Sequence, residues 1–198
     1  VYDVSKNGIG AKDGQVLVTG EVNYGGTVYA GYSENGAVTD NDVYLNNTQA
    51  GSLHLLGRNE GSSEESGNNT LHVTGTGNTI GSVANFDTLS FDRLTWQDGE
   101  TVLSITGETK DKQLSGTKVS VNGLTLTGGT PLSSGQSMTL LESTQDMGLG
   151  DAGDIPLNDA EDFTAGVAAV GKGTMVISED GKQLTYTIDR VGLNPQTT

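Results

Sequence analysis

Asn41-Asp42-Val43-Tyr44-Leu45, Asn69-Thr70-Leu71-His72-Val73 and Asn85-Phe86-Asp87-Thr88-Leu89 each place a short polar corner ahead of an apolar strand. A second series runs in phase with them. Gly26-Thr27-Val28, Gly51-Ser52-Leu53 and Gly81-Ser82-Val83 recur after 25 and then 30 residues, each a glycine turn entering a strand. Similar strands separated by loops of different composition, at a period of about 20 to 50 residues, point to a repeat architecture. One such unit cannot bury its apolar face alone and needs neighbours above and below. Propeller blades require about four strands in 40 or more residues with recurring aromatic signatures. A single Trp96 and two strands per repeat do not supply them. The pattern predicts a parallel β-helix and leaves a β-sandwich as the alternative.

The rest of the chain agrees with an all-β fold. Apolar residues sit one or two apart in runs of three to six, rich in β-branched residues and threonine, and helical periodicity is nearly missing. Strands are expected over 15–19, 27–32, 42–45, 52–56, 70–74, 88–91, 101–106, 117–121, 124–127, 138–141, 174–178 and 184–188. Between them lie clusters of Gly, Asn, Asp and Ser. With 30 glycines and 3 prolines in 198 residues, most turns are made by residues that tolerate positive φ. The corners Asn46-Asn47-Thr48 and Asn68-Asn69-Thr70 match a glycosylation acceptor, but they read as turns in which Asn adopts left-handed geometry. Stacked, such corners form Asn or Thr ladders.

Charge narrows the partners. Ten basic against 25 acidic residues give a net charge of −15, which repels nucleic acid and anionic membrane surfaces. Cysteine is absent, which suits a chain exported unfolded without premature disulfides. No apolar run approaches the roughly 20 residues of a membrane helix. Val1-Tyr2-Asp3 carries neither the basic nor the hydrophobic region of a leader, so Val1 is expected to be an internal or processed end.

The end of the chain differs in kind. Thr174-Met175-Val176-Ile177-Ser178, the turn Glu179-Asp180-Gly181-Lys182, and Gln183-Leu184-Thr185-Tyr186-Thr187-Ile188 read as an antiparallel hairpin with alternating faces. A solenoid needs such a cap, because its last coil otherwise leaves an apolar face and strand edges open. Residues 1–127 are therefore read as β-helical coils and 128–198 as a cap region containing the hairpin at 174–188. Residues 160–170 fit a short helix or one more strand.

Asn85-Phe86-Asp87-Thr88-Leu89-Ser90-Phe91, Asp98-Gly99-Glu100-Thr101-Val102-Leu103, the Ser178-Glu179-Asp180-Gly181-Lys182 turn and Asn194-Pro195-Gln196-Thr197 together resemble the autotransporter family. The similarity spans roughly residues 22 to 198. It implies a right-handed parallel β-helix (solenoid) as passenger on the bacterial cell surface, carried there by a covalently linked outer-membrane barrel. It also implies that this end is a folding-promoting cap just ahead of that barrel. The function implied is a structural stem and adhesin, meeting a host surface ligand or associating with itself. The alternatives are a mechanical stem without a ligand and a β-helix enzyme acting on extracellular polysaccharide.

Chemistry-bearing residues are sparse. His54 and His72 sit mid-strand, opposite their apolar neighbours, and are expected on one solvent-facing outer surface rather than on a metal. Asp40 with Asp42, and Asp151, Asp154, Asp159, Glu161 and Asp162, gather oxygen ligands in loops but lack calcium-loop spacing. Arg58 and Arg93 are the only first-half arginines that a polyuronate lyase would have for a clamp, and they lie far apart in the repeat series. Glu60, Glu64 and Glu65 mark the loop over 57–69 as a solvated projection. No nucleophile elbow or phosphate loop is present. No catalytic, cofactor-binding or metal-binding residue is assigned, and the chain is expected to be neither an enzyme nor a carrier of a cofactor.

Overall fold

The computed structural model describes residues 11–126, 131–153, 155–167 and 169–193. Fourteen strands follow one another: β1 (Ala11–Lys12), β2 (Gln15–Glu21), β3 (Gly26–Tyr29), β4 (Val38–Thr39), β5 (Asp42–Leu56), β6 (Thr70–Thr74), β7 (Asn78–Ala84), β8 (Thr88–Thr95), β9 (Thr101–Ile105), β10 (Lys118–Thr125), β11 (Ser137–Ser143), β12 (Ala160–Ala165), β13 (Ala169–Ile177) and β14 (Gln183–Leu193). They form a β-solenoid of about four turns. One ladder runs β2-β5-β6-β8-β10 and a second runs β3-β5-β7-β9-β11, all parallel, with the long β5 crossing from one to the other.

Register explains the core. Val43, Leu71, Leu89 and Val119 stand opposite one another on successive coils, as do Leu45, Val73 and Phe91, and all seven are buried. On the second ladder Leu103, Leu141 and Leu184 form a fully buried row. Each such leucine withdraws about 1.5–3 kcal/mol worth of apolar surface from water, and only the coil above and the coil below make that burial possible.

Corners are held by buried amides. The Asn41 side chain donates to Asn69 Oδ1 at 3.0 Å and to the Ala11 carbonyl at 3.1 Å, and accepts from the Gly14 amide at 2.9 Å. Asn69 donates onward to the Val38 carbonyl at 2.8 Å. At the next corner Asn78 accepts from the Thr48 amide at 2.8 Å and donates to the Val102 carbonyl at 3.1 Å. Asn41, Thr48, Asn69 and Asn78 are all fully buried, so these bonds meet the desolvation cost that orphaned amides would carry. An Asn ladder thus runs from Asn41 to Asn69, but the corners at 46–48 and 68–70 do not stack on each other, since Thr70 faces Asp42 and Asn46 faces Thr74. Asn47, Asn68 and Asn85 take φ of 49°, 57° and 61°, the left-handed geometry expected of corners.

Several readings need correction. In the third corner motif, Asp87 rather than Asn85 occupies the ladder position, because Leu71 faces Leu89 and the Asn69 amide donates to Asp87 Oδ2 at 2.8 Å. Gly26 stands opposite Leu53, not Gly51, whereas Gly51, Gly81 and Gly107 do stack. The segments at 42–45 and 52–56 are one strand, as are 117–121 and the described part of 124–127; Thr127 lies outside the described residues. Residues 160–170 hold β12 and the start of β13, the strand rather than the helix of the two readings, and β7 begins three residues ahead of the glycine turn expected at Gly81.

The chain's end engages both ladders at once. β12 meets β10 in parallel at Leu124 and Ala165, β12 pairs antiparallel with β13, β13 with β14, and β14 antiparallel with β11. The expected hairpin is thus the centre of an antiparallel sheet joining the last strand of each ladder. Parallel stacking continues to β11 on the second ladder. Asn194, Pro195, Gln196 and Thr197 lie outside the described residues, as do Val1, Tyr2 and Asp3.

Candidate functional site

The densest group of ionisable side chains with mutual contacts lies on the outer face of the first ladder. Tyr44, His72 and Ser90 stand opposite one another on β5, β6 and β8. The odd-numbered neighbours Val43, Leu71 and Leu89 point into the core, so these three face outward. The imidazole stacks on the Tyr44 ring at 4.4 Å between centroids and 10° between planes. Its Nε2 lies 2.7 Å from Asp42 Oδ1 and its Nδ1 2.6 Å from Asp92 Oδ2.

The network continues along the stack. Ser90 Oγ donates to Asp92 Oδ1 at 2.6 Å, and Asn122 Nδ2 donates to Ser90 Oγ at 2.6 Å and to Asp92 Oδ1 at 3.2 Å. Partial burial, and next the negative charges of Asp42 and Asp92, push the Tyr44 hydroxyl above its usual range. Four successive strands, β5, β6, β8 and β10, are thereby linked by side chains on the outside as they are by leucine and valine on the inside. Ser90 donates to a carboxylate and both histidine nitrogens face carboxylates, so no serine–histidine relay is formed. The arrangement clamps coils together.

We expect His72→Ala to lower stability by about 1–2 kcal/mol, because it removes the ring that bridges two carboxylates and leaves Asp42 and Asp92 on either side of the gap. The urea midpoint checks this, and an unchanged midpoint would show that the bridge adds nothing net.

The other candidates disperse. His54 is on the second ladder, between Thr27 and Ser82, and bonds Ser82 Oγ through Nδ1 at 2.6 Å. The two histidines therefore do not share one outer face: β5 passes from one ladder to the other between Tyr44 and His54. Asp40 takes a corner conformation at φ 59° and accepts from Asn68 Nδ2 at 2.7 Å, while Asp42 turns to His72. Asp151 lies 4.0 Å from Lys112 Nζ, and Asp162 accepts from Lys172 Nζ at 2.8 Å. Asp154 lies outside the described residues. Among the described residues no three His, Asp or Glu side chains converge as a metal would require.

Arg58 donates to Ser62 Oγ at 3.0 Å within the 57–69 loop, whereas Arg93, at φ 44°, sits in an irregular step of β8. Glu60 accepts from Asn85 Nδ2 at 3.0 Å, and Glu64 and Glu65 are exposed. Asp92 and Tyr44 were not foreseen as partners of His72. Their signal was the register: once Tyr44, His72 and Ser90 align, Asp42 and Asp92 fall two residues to either side. No family model, curated relative or solved structure matches the chain.

Proposed function

We propose that the chain is a rigid, non-catalytic stem segment of a bacterial surface protein, of the autotransporter passenger kind. Its coils space and display outer faces and loops for adhesive contact outside the cell. Its C-terminal sheet ends the stack and gives folding a template. The observation that carries this reading is the double closure, in which β12 and β14 engage the last strand of each ladder. A stack terminated in that way covers the edge of β11 along its length and pins β10 at Leu124, which limits the edge left to solvent and to other chains.

A net charge of −15 and the absence of cysteine support the same reading, since they favour solubility and passage across membranes without disulfide trapping. The test is display. Placed ahead of an outer-membrane β-barrel in a Gram-negative host, the chain is expected on intact cells in a protease-resistant form. A cap-breaking Leu184→Asp variant is expected in lower amount and readily digested. Failure of the parent chain to reach the surface, or equal protease resistance of the two, rejects the proposal.

A further inference from the structure

Where the cap meets the first ladder, the closure is incomplete. β10 pairs with β8 along its length, but with β12 only at Leu124 and Ala165. From that pinned end the two strands part. Gly123 still lies close to β12, where an added Cβ would stand 3.7 Å from the Thr164 carbonyl oxygen. Further along, Val121 and Asn122 face Asp162 and Phe163 across a cleft of about 710 Å³. It adjoins a second hollow of about 230 Å³ that reaches Val119, Met175 and Tyr186.

The backbone facing this cleft is a strand edge. The Lys118 amide donates to the Asp87 carbonyl at 2.9 Å, towards β8. In a parallel ladder alternate residues turn both amide and carbonyl to opposite sides. Val119 and Val121 therefore turn theirs towards β12, with which they form no register pair. Val119 is only 4 % exposed, and backbone groups in such a place call for partners.

The far wall supplies charge. Lys172 and Arg190 stand opposite each other on β13 and β14. Asp162 is held by Lys172 at 2.8 Å, a bond that with the lysine charge pulls its carboxyl below the usual range. That pair neutralises itself, and the exposed Arg190 leaves one positive charge over among the side chains lining the larger cleft, whereas Glu161 lines the adjoining hollow. Phe163 and Val170 add apolar surface.

We propose that this cleft is a binding groove for an extended acidic peptide segment, which adds to the β10 edge through its backbone and sets a carboxylate against Arg190. Backbone pairing at Val119 and Val121 provides affinity, as in strand addition to other open sheet edges. The apolar wall accepts alternate side chains and Arg190 selects the charge. The partner chemistry follows from both features together: an edge takes any extended chain, and the surplus cation rejects a basic one.

The probe is an acetylated, amidated heptapeptide of alternating valine and threonine with a central aspartate, titrated into the full 15N-labelled chain. Saturable shifts confined to the amides of Val119–Gly123 and Asp162–Thr164 are expected. A matched peptide with lysine in place of aspartate is expected to bind at least about tenfold more weakly, and so is the aspartate peptide to Arg190→Glu. Arg190 is exposed, so that variant retains its fold, which its melting curve checks. N-methylation of alternate peptide amides is expected to abolish binding with the protein untouched. Absence of saturation, shifts centred elsewhere, equal binding of the lysine peptide, or full binding by the N-methylated peptide would each overturn the proposal.

Discussion

Gly57→Val is expected to cost about 4 kcal/mol or more and to remove the cooperative urea transition. Successive steps along the first ladder, Asp42 to Thr70, Thr70 to Thr88 and Thr88 to Lys118, span 28, 18 and 30 residues. The short coil lacks the long connection of its neighbours and turns straight from β7 into β8 at Asn85. Gly57 lies beneath that turn, bonded through its amide to the Ala84 carbonyl at 2.9 Å. An added Cβ would meet the Asn85 carbonyl carbon at 2.7 Å and Phe86 Cα at 2.9 Å. These are backbone atoms of a buried corner and cannot swing aside as a side-chain end does. Gly67→Ala is the control, because a Cβ there meets nothing within 4 Å, and its effect should stay within about 0.5 kcal/mol. A Gly57→Val chain that melts within about 1 kcal/mol of the parent would show that the corner shifts freely and is not a fixed part of the stack.

The same corner shows what was legible in the residues and what was not. Polar corners followed by apolar strands announced a stacked fold because each coil must present the same faces to its neighbours, so Asn41, Asn69 and the leucine and valine rows repeat. Coil length is under weaker constraint. A connection that leaves the stack varies freely, so the third repeat keeps its polar corner and strand but sets Asp87 where the first two have Asn41 and Asn69. The strand β7, Asn-Thr-Ile-Gly-Ser-Val-Ala, was legible only from Gly81 onward, where a glycine turn entering a strand was expected. Gly81 is required there because an added Cβ would stand 2.6 Å from the Leu53 carbonyl oxygen. Residues 160–170 were ambiguous because their pairing is antiparallel within the cap, where no repeat disciplines the pattern.

Candidate chemistry was less legible still. His72 was visible as an outward-facing histidine, but its carboxylates come from 30 residues before and 20 after. Only the register joins them. The cleft beside β10 depends on where two strands diverge, a property of backbone path that no local pattern encodes.

The cap is the place where one substitution separates a closed stack from an open one. Leu184→Asp is expected to cost about 4 kcal/mol or more, since it buries a carboxylate with no partner at a fully enclosed position. Leu184 stands opposite Leu141 on β11 and Ile177 on β13, so the charge enters the seam between the last coil and the cap sheet. Two residues on, Tyr186 covers Gly173, whose missing side chain leaves room for the ring, and meets Trp96 edge-on at 6.3 Å. Burial, and next the charges of Asp189 and Glu161, push the Tyr186 hydroxyl far above its usual range, as expected for a phenol that stays neutral in an enclosed seam. Opening the seam should therefore abolish near-ultraviolet ellipticity from Trp96 and Tyr186 before far-ultraviolet β signal is lost from the coils. The exposed edges of β10 and β11 should then recruit other chains, so that light scattering rises with protein concentration. Leu184→Met, which preserves volume and polarity, should stay within about 1.5 kcal/mol and remain monodisperse. If Leu184→Asp loses the aromatic signal and still unfolds at the parent's urea midpoint without aggregating, the coils stand without their closure. The antiparallel sheet would then be an appendage to a stack stabilised by its leucine rows and asparagine corners alone.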